Sequence, residues 1–376
     1  MAEPLKAQFG TAVVRRLASE IVAVYPQFQP AAFERAALLG FEDLELLARG
    51  RHLADVLHRH LPKTFPAAAR VLLATLPQVR EPAGGMASFF YLPHTEFVAR
   101  FGLGHFAASM RALHALTQVF TAEFAMRPFL EQHEAATLEQ LRRWTHDPSE
   151  HVRRLVSEST RTRLPWAGRL RAFQKDPAPV LDLLEALRDD PSAYVRRSVA
   201  NNLNDIGKDH PALLVATATR WMHGATTERR WVVQRALRSL VKQGDRAAMA
   251  VLGHAMPASI RVSSRGILPK QPTMGAHVTL TCSLRNPTRA TQRAIVDLRI
   301  HFVKSNGSTR VKVFKLGVVE LEHGESVSLR KKVTLADLTT RRHYPGLHTV
   351  ELQINGAVEP LGTFELRAPR RVIPPV

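Results

Sequence analysis

The sequence predicts a two-part chain: an all-α solenoid of stacked helical repeats over residues 1–257, then an all-β sandwich of immunoglobulin-like type over residues 258–376. Three observations predict it. Asp147-Pro148-Ser149-Glu150-His151-Val152-Arg153-Arg154 returns as Asp190-Pro191-Ser192-Ala193-Tyr194-Val195-Arg196-Arg197, and recurrence after about 43 residues is the mark of helical-repeat stacking. Apolar residues before Met256-Pro257 recur at helical steps of three and four. After it they alternate, as in half-buried strands.

Composition bounds the function. At 376 residues the chain can bury two or three cores. Its 52 Lys and Arg against 33 Asp and Glu give a formal charge of +19, which favours a polyanionic partner. Ribosomal, membrane-surface and merely solubilising roles are also compatible with that charge. Cys282 is the only cysteine, which excludes a disulfide framework and a thiolate metal site. Residues 1–10 lack the basic-then-apolar order of a signal peptide. No uncharged apolar run approaches the ~18 residues of a membrane span. The expectation is a soluble cytoplasmic protein.

Taken in order, Val13, Leu17, Ile21 and Val24 share one helical face, and Pro26 and Pro30 end it. Similar patterns cover residues 30–50, 51–61, 66–76, about 96–132 and 135–145. The aromatics among them (Phe33, Phe89, Phe90, Phe101, Phe106, Phe120, Phe124 and Phe129) are expected in the core. In the first repeat the Asp-Pro start is expected to cap a helix with proline in its first turn. Val152, Leu155 and Val156 form its buried edge, and Arg154 and Glu158, four apart, share another face. Pro165 stops the helix or lies just past it. The second repeat has an apolar stripe of Val195, Val199, Leu203 and Ile206. Roughly opposite runs a polar stripe of Arg197, Asn201, Asp205 and Lys208, with Gly207 closing the helix.

A third, degenerate repeat appears when Trp231-Val232 is laid on Tyr194-Val195. Val232, Ala236 and Leu240 become core, with Gln234, Arg238 and Lys242 on the polar side. Stacked repeats present such faces side by side, so a basic groove holding two carboxylates is expected. Beyond it, strands are expected at 277–284, 295–303, 310–316, 326–333, 349–354 and 361–366. Ser305-Asn306-Gly307-Ser308 forms a hairpin turn. This half carries roughly +11 of the +19, so its basic loops are also expected to meet a polyanion.

Chemistry narrows to carboxylates among arginines. The sequence has no phosphate-binding glycine loop, dinucleotide fingerprint, His-Glu-x-x-His or Cys/His metal spacing, so neither metal nor cofactor is expected. The plain structural reading pairs Glu158 with Arg154, and Asp205 with Lys208 or a helix end. Against it, anions without purpose on a cationic face would weaken phosphate binding. Neighbouring arginines favour the charged form of a carboxylate. A charged carboxylate beside a deoxyribose can stabilise the oxocarbenium-like charge at C1′ as a base departs, and orient water. Bases alkylated at a ring nitrogen are already cationic and leave without a strong general acid. Trp166, after Pro165, either packs an inter-repeat gap or lies against a sugar or base.

The stretch Arg153-Arg154-Leu155-Val156-Ser157-Glu158, then Thr160-Arg161 and Arg163-Leu164-Pro165-Trp166, resembles the signature of the AlkC branch of HEAT-like-repeat DNA alkylation-repair glycosylases. The resemblance extends back through residues 120–129 and forward through residues 198–205, and covers most of residues 1–256. Ser159 and Thr162 stand where many relatives have glycine and proline. The resemblance implies a monofunctional glycosylase that excises cationic N3-methylated bases, including 3-methyladenine and 3-methylcytosine. It would act in double-stranded alkylated DNA without flipping the lesion into a pocket. It matches Glu158 and Asp205 to the catalytic carboxylates, Trp166 to the aromatic on the lesion nucleotide and Arg154 to a DNA contact. Arg161, Arg163, Arg197, Asn201, Arg235, Arg238 and Lys242 are expected along the same DNA-binding surface. Some members carry an appended immunoglobulin-like domain that grips DNA beside the lesion, in agreement with residues 258–376. The protein is expected to act as a monomer, without membrane, metal, cofactor or obligate protein partner, associated with the nucleoid through DNA.

Two other functions fit the same residues. A non-catalytic helical-repeat module would bind damaged or distorted DNA without releasing a base. A helical scaffold for an acidic protein would bind DNA weakly and with little response to salt.

Overall fold

The computed structural model describes residues 5–78, 85–254, 259–338 and 341–368. By packing, the described chain divides into two compact units: Met1–His210 with Ala225–Ala236, and Pro211–Gly224 with Leu237–Val376. The boundary expected between residues 257 and 258 lies outside the described residues.

The first unit is a series of helical repeats. It opens with α1 (Thr11–Val24), α2 (Pro30–Leu38), α3 (Leu46–His60), α4 (Phe65–Ala74), α5 (Leu92–Phe101), α6 (Phe106–Leu116), α7 (Glu123–Gln132) and α8 (Glu134–Trp144). It continues through α9 (Glu150–Ser159), α10 (Arg171–Lys175), α11 (Ala178–Leu187) and α12 (Ala193–Ile206). Two expected segments break differently. The 30–50 pattern is interrupted after Leu38, where Gly40 takes a left-handed φ of 68°. The 96–132 pattern is three helices, α5 to α7, because Gly102 ends the first of them. Of the eight phenylalanines expected in the core, Phe33, Phe90, Phe120 and Phe129 are buried, and Phe89, Phe101, Phe106 and Phe124 are half-buried.

The repeated motif starts its helices two residues later than expected. Asp147 and Asp190 each accept the backbone N–H of the serine two residues on, Ser149 at 2.9 Å and Ser192 at 2.8 Å. These are Asx turns. The serine is the cap: Ser192 Oγ accepts from Tyr194 N–H at 3.2 Å. Proline therefore lies in the turn before the helix rather than in its first turn. The first arginine of each copy folds back on that turn. Arg153 donates to the carbonyls of Asp147 (2.8 Å) and Pro148 (3.0 Å), and Arg196 to those of Asp190 (2.6 Å) and Pro191 (2.8 Å). Arg153 also grips Asp190 of the next copy in a two-pronged pair of 2.6 and 3.1 Å.

Val152, Leu155 and Val156 on α9, and Val195, Val199, Leu203 and Ile206 on α12, are buried as the spacing requires. Polar links join the two helices where they pack: fully buried Asn202 donates to the Ser157 carbonyl (2.7 Å) and to Thr160 Oγ1 (3.0 Å).

In the second unit, α13 (Pro211–Met222) packs on α15 (Arg246–Val251). The intervening α14 (Thr227–Gln243) gives its residues up to Ala236 to the first unit and the rest to the second. The sandwich follows, with β1 (Arg261–Leu268), β2 (His277–Arg285), β3 (Gln292–Val303), β4 (Thr309–Leu321), β5 (Ser326–Thr334), β6 (Gly346–Ile354) and β7 (Ala357–Leu366). Two antiparallel sheets, ordered β1-β2-β5 and β4-β3-β6-β7, enclose one apolar core. Inward positions alternate as expected: Val278, Leu280, Cys282 and Leu284 of β2 are all buried. Gly307 turns the β3–β4 hairpin at φ 76°. A second Asn-Gly pair, Asn355 (φ 43°) and Gly356 (φ 82°), turns β6 into β7.

Candidate active site on the first and second repeat helices

The C-terminal end of α9, the loop after it and the C-terminal end of α12 converge on one cluster of charges. Glu158 lies in the last turn of α9 and is 6% exposed; Asp205 lies in the last turn of α12 and is 1% exposed. Arg161, 8% exposed, sits between them. Its Nη1 donates to Glu158 Oε1 at 2.7 Å and its Nε to Asp205 Oδ2 at 2.8 Å, with Nη2 in ion-pair contact with the same oxygen at 2.8 Å. Ser198 Oγ donates to Glu158 Oε2 at 2.5 Å, and Ser198 in turn receives Ser157 Oγ. Lys208 Nζ donates to Asp205 Oδ1 at 2.7 Å.

This geometry corrects two expectations. Asp205 does not share an open stripe with Arg197 and Asn201. Arg161 reaches over from the post-α9 loop and covers it, while Arg197 is exposed and Asn201 half-buried. Nor is Arg161 free to hold a phosphate, because two carboxylates use its planar fork. Burial works against the charge of Arg161, and Glu158 and Asp205 more than offset it, raising its pKa.

Arg154 is also engaged. Its Nη1 donates to Thr121 Oγ1 at 3.0 Å and to Glu123 Oε2 at 3.4 Å, and its Nη2 lies 3.8 Å from Glu158. Its guanidinium stands 4.8 Å over the Tyr194 ring. Burial would lower the Arg154 pKa, but Glu123 and Glu158 raise it overall. Glu123 is a third carboxylate of the cluster, to which sequence reasoning gave no role. It opens α7, and its 31-residue separation from Arg154 carries no periodic signal. Burial pushes its carboxyl up, opposed by Arg154 and reinforced by Glu158.

Arg163 pairs with Asp209 through Nε at 3.1 Å and through a second, shorter contact, so it too is spoken for. Trp166 fills no gap between repeats. It is 66% exposed and has a left-handed φ of 67°, a conformation costing a non-glycine residue about 1–2 kcal/mol. In the degenerate repeat, Val232, Ala236 and Leu240 are buried as expected. Arg235 is half-buried beneath Trp231, its guanidinium 5.6 Å from the ring. Arg238 is half-buried and Lys242 exposed, and both belong to the second unit. Among the described residues no helix is long and apolar enough to cross a membrane. None of their His, Cys, Asp and Glu groups is arranged to hold a metal ion.

A family model described as "DNA alkylation repair enzyme" matches residues 117–240, and one described as the C-terminal Ig-like domain of uncharacterised protein YhaZ matches residues 261–368. Uncharacterized protein YhaZ of Bacillus subtilis (strain 168) is 35% identical over 363 residues, spanning 96% of this chain and 99% of that protein. The chain belongs to the YhaZ-like DNA alkylation repair enzymes. Among solved structures, Pseudomonas fluorescens alkylpurine DNA glycosylase AlkC, bound to DNA containing an abasic site analog, superposes with a TM-score of 0.91 at 37% identity. The match covers 97% of this chain and 100% of that one. In this YhaZ-like alkylation repair protein, the stretch matching the repair-enzyme model contains the entire charge cluster, Glu123, Arg154, Glu158, Arg161 and Asp205, and also Trp166.

Proposed function

We propose that this chain is a monofunctional DNA glycosylase of base excision repair. It hydrolyses the N-glycosidic bond of cationic N3-alkylated bases, 3-methyladenine and 3-methylcytosine, in double-stranded DNA, without turning the base out of the helix. The observation that carries the proposal is the Glu158–Arg161–Asp205 bridge followed, five residues after Arg161, by an exposed aromatic in a left-handed backbone. Arg161 holds two anionic groups in one place, and Trp166 offers a ring to a nucleotide beside them.

The chemistry asks little of a general acid. When the bond from C1′ to the base nitrogen breaks, its electron pair neutralises the positive base, which leaves as a neutral molecule. The positive charge passes to C1′ and the ring oxygen. Glu158 and Asp205 stabilise that charge and orient a water, whose oxygen bonds to C1′ and whose proton passes to a carboxylate and on to solvent. The products are a free base and an abasic site. Trp166 lies against the lesion nucleotide and Arg154 near the adjoining backbone, with Arg197 and Lys242 as further phosphate contacts. The sandwich has basic surface to add. Lys304, Arg310, Lys312, Arg341 and Arg342 line a cavity of about 520 Å3 and form no ion pair among the described residues. The enzyme acts as a cytoplasmic monomer, without cofactor.

Chromatography of bases released from methylated duplex DNA tests the proposal. Wild type should release 3-methyladenine and 3-methylcytosine, and Glu158→Gln and Asp205→Asn should each be slowed about 10²–10³-fold. A wild type that binds lesions but releases nothing would identify a recognition module instead. Undiminished release by both variants would move the chemistry elsewhere.

A further inference from the structure

The loop between Ser159 and Leu170 carries both Arg161 and Trp166, yet it makes few hydrogen bonds to itself. Its backbone N–H contacts within the loop or to its own helix are Arg161 to the Glu158 carbonyl (3.4 Å) and Ala167 to the Leu164 carbonyl (3.3 Å); Thr160 Oγ1 adds bonds to the Val156 (2.9 Å) and Ser157 (3.2 Å) carbonyls of α9. Something else must hold Trp166 at φ 67°, because a strained residue persists only where its surroundings over-determine it.

Side-chain anchors hold the first half of the loop, where Asn202 bonds Thr160, Asp205 bonds Arg161 and Asp209 bonds Arg163, and α7 ties its two ends together. Arg127 is buried on α7, at 5% exposure. It forms no ion pair among the described residues. Its guanidinium instead donates to three backbone carbonyls of the loop. Nη1 reaches those of Ser159 (3.3 Å) and Arg161 (3.0 Å), and Nη2 reaches that of Gly168. One planar fork thus ties the start of the loop to its end. The first two contacts fix the backbone from which the Arg161 side chain sets out toward Glu158 and Asp205. The third fixes the residue two places after Trp166.

We propose that Arg127 is a positioning residue: it touches neither substrate nor carboxylate, but sets the placement of Trp166 and Arg161 through the loop backbone. Two features favour this over a purely structural role. A buried charge with no ion-pair partner is expensive even with Glu131 favouring it from a distance, and a packed hydrophobic residue is often the more stable solution at such a position. Burial pushes the Arg127 pKa down to about 10, so the surroundings disfavour the charge that the loop requires. The three acceptors also stand apart in direction, one at the last residue of α9 and two in the irregular backbone after it. A fork of fixed geometry meets them where a single ammonium cannot.

The test uses the full chain labelled with fluorotryptophan, which places one fluorine on each of Trp144, Trp166, Trp221 and Trp231. The Trp166 resonance is assigned by its loss in Trp166→Phe. In Arg127→Gln and Arg127→Lys the Trp166 resonance should shift and broaden while the other three stay in place. A global disturbance would move buried Trp221 as well. Arg127→Lys keeps the charge, so it remains informative if Arg127→Gln does not fold. In parallel, single-turnover base release should fall about 10²-fold in both variants, the cost of displacing a reacting arrangement by about 1 Å. Affinity for undamaged duplex should stay within about threefold. The release arm rests on the glycosylase proposal and the fluorine arm does not, so an inactive wild type would leave the positioning claim standing on the spectrum. An unmoved Trp166 resonance in both variants, or full rescue of the wild-type spectrum by lysine, would overturn it.

Discussion

Replacing Arg161 with glutamine separates two roles that the same residue could play. As a clamp, Arg161 supplies a 2.7 Å hydrogen bond to Glu158 and a 2.8 Å hydrogen bond to Asp205 with a second ion-pair contact at 2.8 Å, all out of solvent. Removing one member of a buried ion pair costs about 3–5 kcal/mol, because the remaining charge is left uncompensated. Each carboxylate here keeps a second partner, Ser198 for Glu158 and Lys208 for Asp205, which places the cost near 3 kcal/mol, at the low end of that range. For a domain of about 150–250 residues that is a fall in melting temperature of roughly 6–12 °C. The buried contacts are little screened, so the deficit should persist in high salt. As a phosphate grip, Arg161 would behave otherwise. Its loss would lower the slope of log K against log salt for duplex binding by about 0.9, with little effect on melting. Calorimetry of Arg161→Gln and a salt titration of DNA binding distinguish the two. A melting temperature within about 1 °C of wild type, with a reduced salt slope, would refute the clamp.

Three further outcomes follow from the same coordinates. Burial raises the Asp297 carboxyl to about 6, with Lys242 and Lys315 opposing. Its neutral form is the one the fold favours, so its contribution is fully present below the ordinary pKa of 3.8 and is lost as pH rises through 6. Asp297→Asn should therefore match wild type in urea melts at pH 3.5 and exceed it by about 3 kcal/mol at pH 8. At Trp166, glycine relieves the left-handed backbone and should add about 1 kcal/mol of stability, whereas alanine should not; both should lose base release, measured on the same methylated duplex. Arg153→Ala should cost about 3 kcal/mol by breaking its buried link to Asp190. Arg142→Ala, at an exposed pair with Glu139, should stay within about 0.5 kcal/mol in the same thermal melts.

Much of this was legible in residue order, and the exceptions share a cause. Helical spacing marks the buried edges of α9 and α12 correctly because burial of an apolar stripe is a local property of the helix. Whether a polar residue faces solvent depends on what else packs there, and Asp205 is covered by an arginine 44 positions away. Glu123 enters the cluster from another helix altogether, so no period connects it to Arg154. The β1 strand escaped notice because it is an edge strand paired only with β2, and Arg261-Val262-Ser263-Ser264-Arg265-Gly266 offers little alternation. The capping error arose from treating Asp-Pro as the helix start. The aspartate caps a turn, and the serine caps the helix.

The forward reach of Arg153 gives the repeat array a direction. Each copy of the motif offers an arginine to the copy that follows and an aspartate to whatever precedes it; Asp147, with no earlier copy to meet, takes His114 of α6 instead at 2.7 Å. At the other end, Arg196 repeats every inward contact of Arg153 but finds no succeeding Asp-Pro turn, and its Nε is buried without a hydrogen-bond partner. The array is therefore a polar chain with one satisfied end and one open valence. A further Asp-Pro turn after α12 would present the acceptor that Arg196 lacks.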